Sequence, residues 1–118
     1  MLLKVDEPNT ALTDLLRSLN AAGAAVITAF NPHGRRQDDA LNRAAQKQLL
    51  SDLRSAGYAL LPGRNEDPAG VWPVEESFLV LGIGLPAARM LAARYGQLAF
   101  LWSAANATPR LVETAASA

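Results

Sequence analysis

Three glycines divide this chain, and their spacing is the feature that most restricts its fold. Gly23, Gly57 and Gly96 each close a stretch with helical periodicity, and each is followed by a short apolar run rich in β-branched or aromatic residues. Glycine past the last helical turn supplies the left-handed conformation that ends a helix, so the pattern reads as helix then strand, three times over. The first helix is predicted from Asn9 to Ala22, with Leu12, Leu15, Leu16 and Leu19 on one face and Asn9 or Thr10 as its cap. Ala24–Phe30 reads as a buried strand stopped by Asn31-Pro32. A second helix is predicted from Asp38 or Asp39 to Ala56, with Leu41, Ala45, Leu49, Leu53 and Ala56 as its buried stripe.

Tyr58–Leu61 is the next strand, closed by Pro62-Gly63, and Ser77–Ile83 is the strongest strand of the chain. Pro86 stands at a helix start, where its missing N–H is harmless, and opens a short helix to Tyr95 with Met90 and Leu91 as core contacts. Gln97–Trp102 is a further strand, and Arg110–Val112 can add as a C-terminal edge strand. This order predicts an α+β fold. Its expected form is a two-layer, ferredoxin-like sandwich with a split strand–helix–strand pair, one helix-covered sheet face and an extra N-terminal helix. One domain is expected over 1–118, with its core at about 24–113, residues 1–23 as a packing helix and 114–118 as a frayed tail.

Composition removes several function classes. The chain has no cysteine, which excludes disulfides, thiol catalysis and Cys-based zinc sites and fits a reducing cytoplasm. Eleven basic and eleven acidic residues balance, so phosphate-driven nucleic-acid binding is not expected, although Arg43, Lys47 and Arg54 share a broad helix face. No apolar run approaches the ~20 residues that span a bilayer, so no membrane association is expected. No P-loop, zinc motif or nucleophile elbow is present, and the Gly-x-Gly at Gly82–Gly84 lacks the rest of a dinucleotide fingerprint. Neither cofactor nor metal is expected.

The chemistry concentrates between the second and third strands. Typical connections run to ~4–6 residues. Here a much longer polar segment, 63–76, carries Arg64, Asn65, Glu66, Asp67, Trp72, Glu75 and Glu76. Adjacent strand residues point to opposite faces, so one of Glu75 and Glu76 should face the loop or the helices and the other water. A carboxylate held against Trp72 could act as a general acid or base, but ordering the loop by accepting N–H bonds is the favoured role. Trp72 could stack on a ligand, yet plugging the core beneath a loop is the commoner use of such a residue. Arg64 could fork onto an anion, whereas its Asn and Asp neighbours suit turns. Asn31, after the first strand, and Gln97, at the start of a later one, complete the set of candidate ligand-binding residues: Asn31, Arg64, Trp72, Glu75, Glu76 and Gln97. His33 is the only histidine, and a solvent-exposed loop position is expected for it.

Four strings occur in one order and spacing: Ile27–Pro32, Gly57–Gly63, Asp67–Ile83 and Ala93–Trp102. Together they resemble the small bacterial family catalogued as domain of unknown function 3293, over about Ala25 to Val112. The chain departs from that family's pattern with His33-Gly34 after Asn-Pro, with Leu41-Asn42 in place of a Glu-Asn pair, and with Leu98 after Gln97. The resemblance implies a compact domain and carries no reaction. The expected function is a non-catalytic binding or regulatory domain that presents the 63–76 loop to a polar small molecule or a protein partner. A homodimer through an edge strand or helix face fits that class. The alternative is a small hydrolase or transferase acting on a phosphorylated or nucleotide-like substrate, with Glu75 or Glu76 as general base, which requires the candidate residues to converge in one pocket.

Overall fold

A computed structural model of the chain describes residues 1–115. The elements are α1 (Thr10–Ser18), β1 (Gly23–Ile27), α2 (Asp39–Ser55), β2 (Ala59–Asn65), β3 (Glu75–Leu81), α3 (Leu85–Arg94), β4 (Ala99–Ala104) and β5 (Arg110–Glu113). The strands form one sheet in the order β2-β3-β1-β4-β5, and every neighbouring pair is antiparallel. The fold is therefore α+β. β3 lies between β1 and β2, and β1 lies between β3 and β4, so the two strand–helix–strand units interleave.

Side chains alternate across a strand, so one sheet supports two cores. Ala25, Ile27 and Val80 pack with Leu49 and Leu53 of α2 and with Ala88 and Ala92 of α3. Their neighbours Ala24 and Leu81, which are register partners, pack instead with Leu12 and Leu16 of α1. The expected two-layer arrangement with one covered face needs correcting here, because α1 crosses to the opposite face. Its apolar stripe finds its cover there, against Ala24 and Leu81.

Several boundaries also differ from expectation. Asn9 does cap α1, its Oδ1 accepting from Leu12 N at 2.9 Å, but the helix stops at Ser18 and Asn20 takes the left-handed turn with φ 51°. Asparagine tolerates that conformation, which leaves Gly23 to begin β1. A Cβ there would lie 2.8 Å from the Ser103 carbonyl oxygen, so glycine serves the close approach of β1 to β4. Pro62-Gly63 does not end β2 but lies within it. β2 is an edge strand, where a missing N–H is tolerated. β3 begins at Glu75, two residues earlier than predicted, and β4 begins at Ala99 and leaves Gln97 outside. Met90 is exposed and not a core contact. Of the predicted frayed tail, Thr114 is pinned, its N–H donating to Leu98 O at 3.0 Å and its hydroxyl to Gln97 O at 2.6 Å, and 116–118 lie outside the described residues.

α2 differs most from expectation. Its buried positions are Asn42, Gln46, Leu49 and Leu53, whereas Leu41 is exposed. The helix turns two amides toward the sheet in its first half because the chain leaving β1 has unpaired backbone N–H groups there.

α2 and α3 are tied at their far ends, where the Tyr95 hydroxyl donates to Asp52. Burial, followed by that hydrogen bond, pushes the Tyr95 phenol up to about 12. The Tyr95 hydroxyl, then the Gln48 amide, holds the Asp52 carboxyl below its usual value. A folded-state phenol pKa above the unfolded value of ~10 means stability that is complete below that pH and lost as pH rises through about 12. Tyr95→Phe is therefore expected to lower unfolding free energy by ~1–2 kcal/mol at pH 8. The gap between wild type and variant should close between pH 10 and 12 in urea titrations, and a gap independent of pH would refute this account.

Candidate functional site

The site forms where three elements meet: the chain after β1, the first turns of α2, and the start of β3. Beyond Ile27 the backbone leaves the sheet, and Asn31 adopts a left-handed conformation with φ 48° and ψ 58°. Such a segment cannot satisfy its own N–H groups, and buried ones must find partners. α2 supplies them. Gln46 Oε1 accepts from Ala29 N at 2.9 Å, and Asn42 Oδ1 accepts from Asn31 N at 2.8 Å.

The Asn31 and Asn42 side chains then close a reciprocal pair. Asn42 Nδ2 donates to Asn31 Oδ1 at 3.0 Å, and that oxygen also accepts from Gln37 N at 3.0 Å. Gln37 Nε2 donates to Asn42 Oδ1 at 2.8 Å. Asn31, Asn42 and Gln46 are all buried. The one donor of Asn31 left over, Nδ2, reaches Glu75 Oε2 at 2.8 Å. The same carboxylate oxygen accepts from Trp72 Nε1 at 3.2 Å. Glu75 thus joins the buried amide pair to the exposed loop. Arg36 stands 5.8 Å above the Trp72 ring, within cation–π range.

Residues 66–74 connect β2 and β3, and Asp67 organises them. Its Oδ2 accepts from Trp72 N at 2.9 Å and from Val71 N at 3.1 Å, and its Oδ1 from Ala69 N at 3.0 Å. These amides, that of Trp72 foremost, hold the Asp67 carboxyl below its ordinary value. Val71 is 80% exposed, Val74 56% and Trp72 37%. The loop is ordered by its own hydrogen bonds and turns apolar side chains outward.

Of the six candidate residues, Asn31, Trp72 and Glu75 form one hydrogen-bonded chain. Glu76 points the other way and meets Arg43 at 3.4 Å, which also pairs with Asp39 at 2.8 Å. The hydrogen bond to Asp39, its charge and that of Glu76 raise the Arg43 guanidinium above its ordinary value. Arg64 lies within β2 and pairs with Glu66 at 2.8 Å, with both side chains largely exposed. Gln97 Nε2 donates to the carbonyls of Phe30 at 3.0 Å and Tyr95 at 3.3 Å, which fastens the chain leaving β1 to the end of α3. His33 is exposed, as expected, and its N–H donates to Gly96 O at 2.7 Å.

Asn42 and Gln46 are the members that sequence reasoning did not single out. Their signal was present: 42, 46, 49 and 53 follow one helical face, and the first two positions are polar. Two buried amides in an apolar stripe imply a backbone in need of partners.

No helix among the described residues is long and apolar enough to cross a membrane. No curated protein and no solved structure matches the chain. A family model does match residues 27–100, from the last residue of β1 into β4, and that span contains Asn31, Asn42, Gln46, Trp72 and Glu75. The chain belongs to the family DUF3293, described as protein of unknown function.

Proposed function

We propose that this domain is a non-catalytic binding module that offers the 66–74 loop to a protein partner. One observation carries the reading: Asp67 gathers three backbone amides and thereby fixes Val71 and Trp72 in exposed positions, with Val74 exposed beside them. Binding energy at protein interfaces concentrates in a few preordered residues, and tryptophan is prominent among them. Ordering these residues in advance reduces the entropy lost on association. Asn31, Asn42, Glu75 and Trp72 are hydrogen-bonded to one another, which favours a supporting role for Asn31 and Glu75. A hydrolase or transferase reading is less well supported, because Arg64 and Gln97 have separate tasks. The interleaved order β2-β3-β1-β4 supports reading the core as a ferredoxin-like scaffold, with β5 added at one edge. A cytoplasmic setting belongs to the same proposal and rests on the lack of cysteine.

Affinity capture from cell extract with wild type and with the Val71→Asp/Val74→Asp double variant tests the proposal. Both sites are exposed, so the variant should melt like wild type. A partner retained by wild type and lost by the variant is the expected result. A parallel thermal-shift panel of nucleotides, sugar phosphates and amino acids covers the small-molecule outcome. A nucleotide or sugar phosphate at ~100 times its dissociation constant adds ~2.7 kcal/mol of stability. If that gain vanished in Glu75→Gln, the loop would be a small-molecule site and the protein-partner reading would fall.

A further inference from the structure

A cavity of about 170 Å³ opens between the C-terminal half of α2 and one side of α3, away from the 66–74 loop. Leu53, Tyr58, Ile83, Ala87 and Leu91 give it an apolar lining. On α3 the residues facing it are Ala87, Met90, Leu91 and Arg94, at i, i+3, i+4 and i+7. This helical stripe fails to close against α2, which accounts for the exposure of Met90. The cleft is open to solvent, and its volume is of the order that holds a benzene-sized body, ~150 Å³, so there is room for an apolar group of about six carbons.

Two opposite charges also line the cavity. Asp52 and Arg94 face each other with Nη1 3.6 Å from Oδ2, their side chains 26% and 58% exposed. That distance is too long for a good hydrogen bond, so the pair is loosely made. Asp52 does not depend on Arg94 to remain charged, since the Tyr95 hydroxyl and Gln48 Nε2 both donate to it. A carboxylate has about four acceptor sites, which leaves room for one more donor.

We propose that this cleft binds a free α-amino acid with an apolar side chain. The side chain fills the cavity, the ammonium group takes the place of Arg94 on Asp52, and the Arg94 guanidinium turns to the carboxylate. Charge complementarity selects this class. A simple carboxylate would draw Arg94 away and leave Asp52 without a cation, and a simple amine would displace Arg94 and leave the guanidinium without an anion. The proposal is independent of the binding surface assigned to the 66–74 loop.

The test is a ¹H–¹⁵N NMR titration of the full chain with L-leucine and L-phenylalanine, and with the single-charge analogues 4-methylpentanoate and 3-methylbutylamine. Saturable shifts are expected at Tyr58, Ile83 and Leu91 with at least one of the amino acids. Both analogues should bind at least about tenfold more weakly, because each lacks one charge-assisted contact. Arg94→Gln, at an exposed position, should keep the wild-type spectrum and weaken amino-acid binding by about tenfold or more. The proposal is overturned if neither amino acid shifts these signals at ~10 mM, if an analogue binds within tenfold of the amino acid, or if Arg94→Gln binds as wild type does.

Discussion

Asn42→Ala is expected to lower the unfolding free energy by about 3 kcal/mol, among the larger effects open to a single substitution here. The residue lies on α2 and is nearly inaccessible, yet it contributes little apolar contact. Its Oδ1 is the acceptor for Asn31 N at 2.8 Å and for Gln37 Nε2, and its Nδ2 donates to Asn31 Oδ1. Alanine would leave a buried backbone N–H without a partner, and such a group loses the full benefit of solvation, ~1–3 kcal/mol by itself. The same substitution would remove both hydrogen bonds that Asn42 makes to Asn31, one to its backbone and one to its side chain. Release of Asn31 would also free Glu75, and with it the Trp72 side chain. Urea denaturation measures the loss, and the Trp72 indole N–H signal should move in the same variant. Lys47→Ala, at an exposed position on the same helix, serves as the control and should stay within ~0.5 kcal/mol. A loss for Asn42→Ala no larger than that of the control would mean that the amide pair does not hold the site together.

Gly96→Ala is the second large effect, with ~2–3 kcal/mol expected. The residue has φ +69°, and a Cβ would lie 2.8 Å from Pro32 Cβ and 3.3 Å from two atoms of the His33 ring. Those neighbours cannot simply rotate away, because Pro32 is a ring in the backbone and His33 N is bonded to Gly96 O at 2.7 Å. The 31–34 segment must shift as a unit, so the damage should spread to Asn31 and Glu75. Gly57→Ala separates the two contributions. Gly57 has φ +82° and nothing within 4 Å of its would-be Cβ, so only backbone strain of ~1 kcal/mol applies. Equal losses in the two variants would show that contact with Pro32 and His33 is unimportant.

These two residues also mark how far the sequence could be read. Gly57 and Gly96 were legible as helix ends because a left-handed terminus is a local requirement that glycine meets at no steric cost. The strands around Val26, Val80 and Phe100 were legible for a similar reason, since short β-branched and aromatic runs have few alternatives. That Gly96 is additionally pressed against Pro32 could not be read, because the contact joins two segments more than sixty residues apart. Pro62-Gly63 looked like a strand end, and only the position of β2 at the sheet edge made it a strand interior.

The site shows the same division. Asn31, Trp72 and Glu75 could be selected one by one, as polar or aromatic residues in segments where a small domain needs none. Their union depends on the register that places β3 beside both β1 and β2, and on the face α2 turns to the sheet. Apolar periodicity misplaced that face in the first half of the helix, since it assigned Leu41 to the core and left Asn42 out. Hydrophobicity ranks residues by their wish to leave water, whereas Asn42 and Gln46 are buried because a departing backbone needs acceptors there. By itself, then, the sequence determined the helices, most of the strands and the α+β class, which follow from local periodicity and turn chemistry. Only the tertiary structure decided that α1 covers the second face of the sheet, that Asn42 and Asn31 lock together, and that a cleft remains between α2 and α3, because each depends on which distant surfaces can satisfy one another.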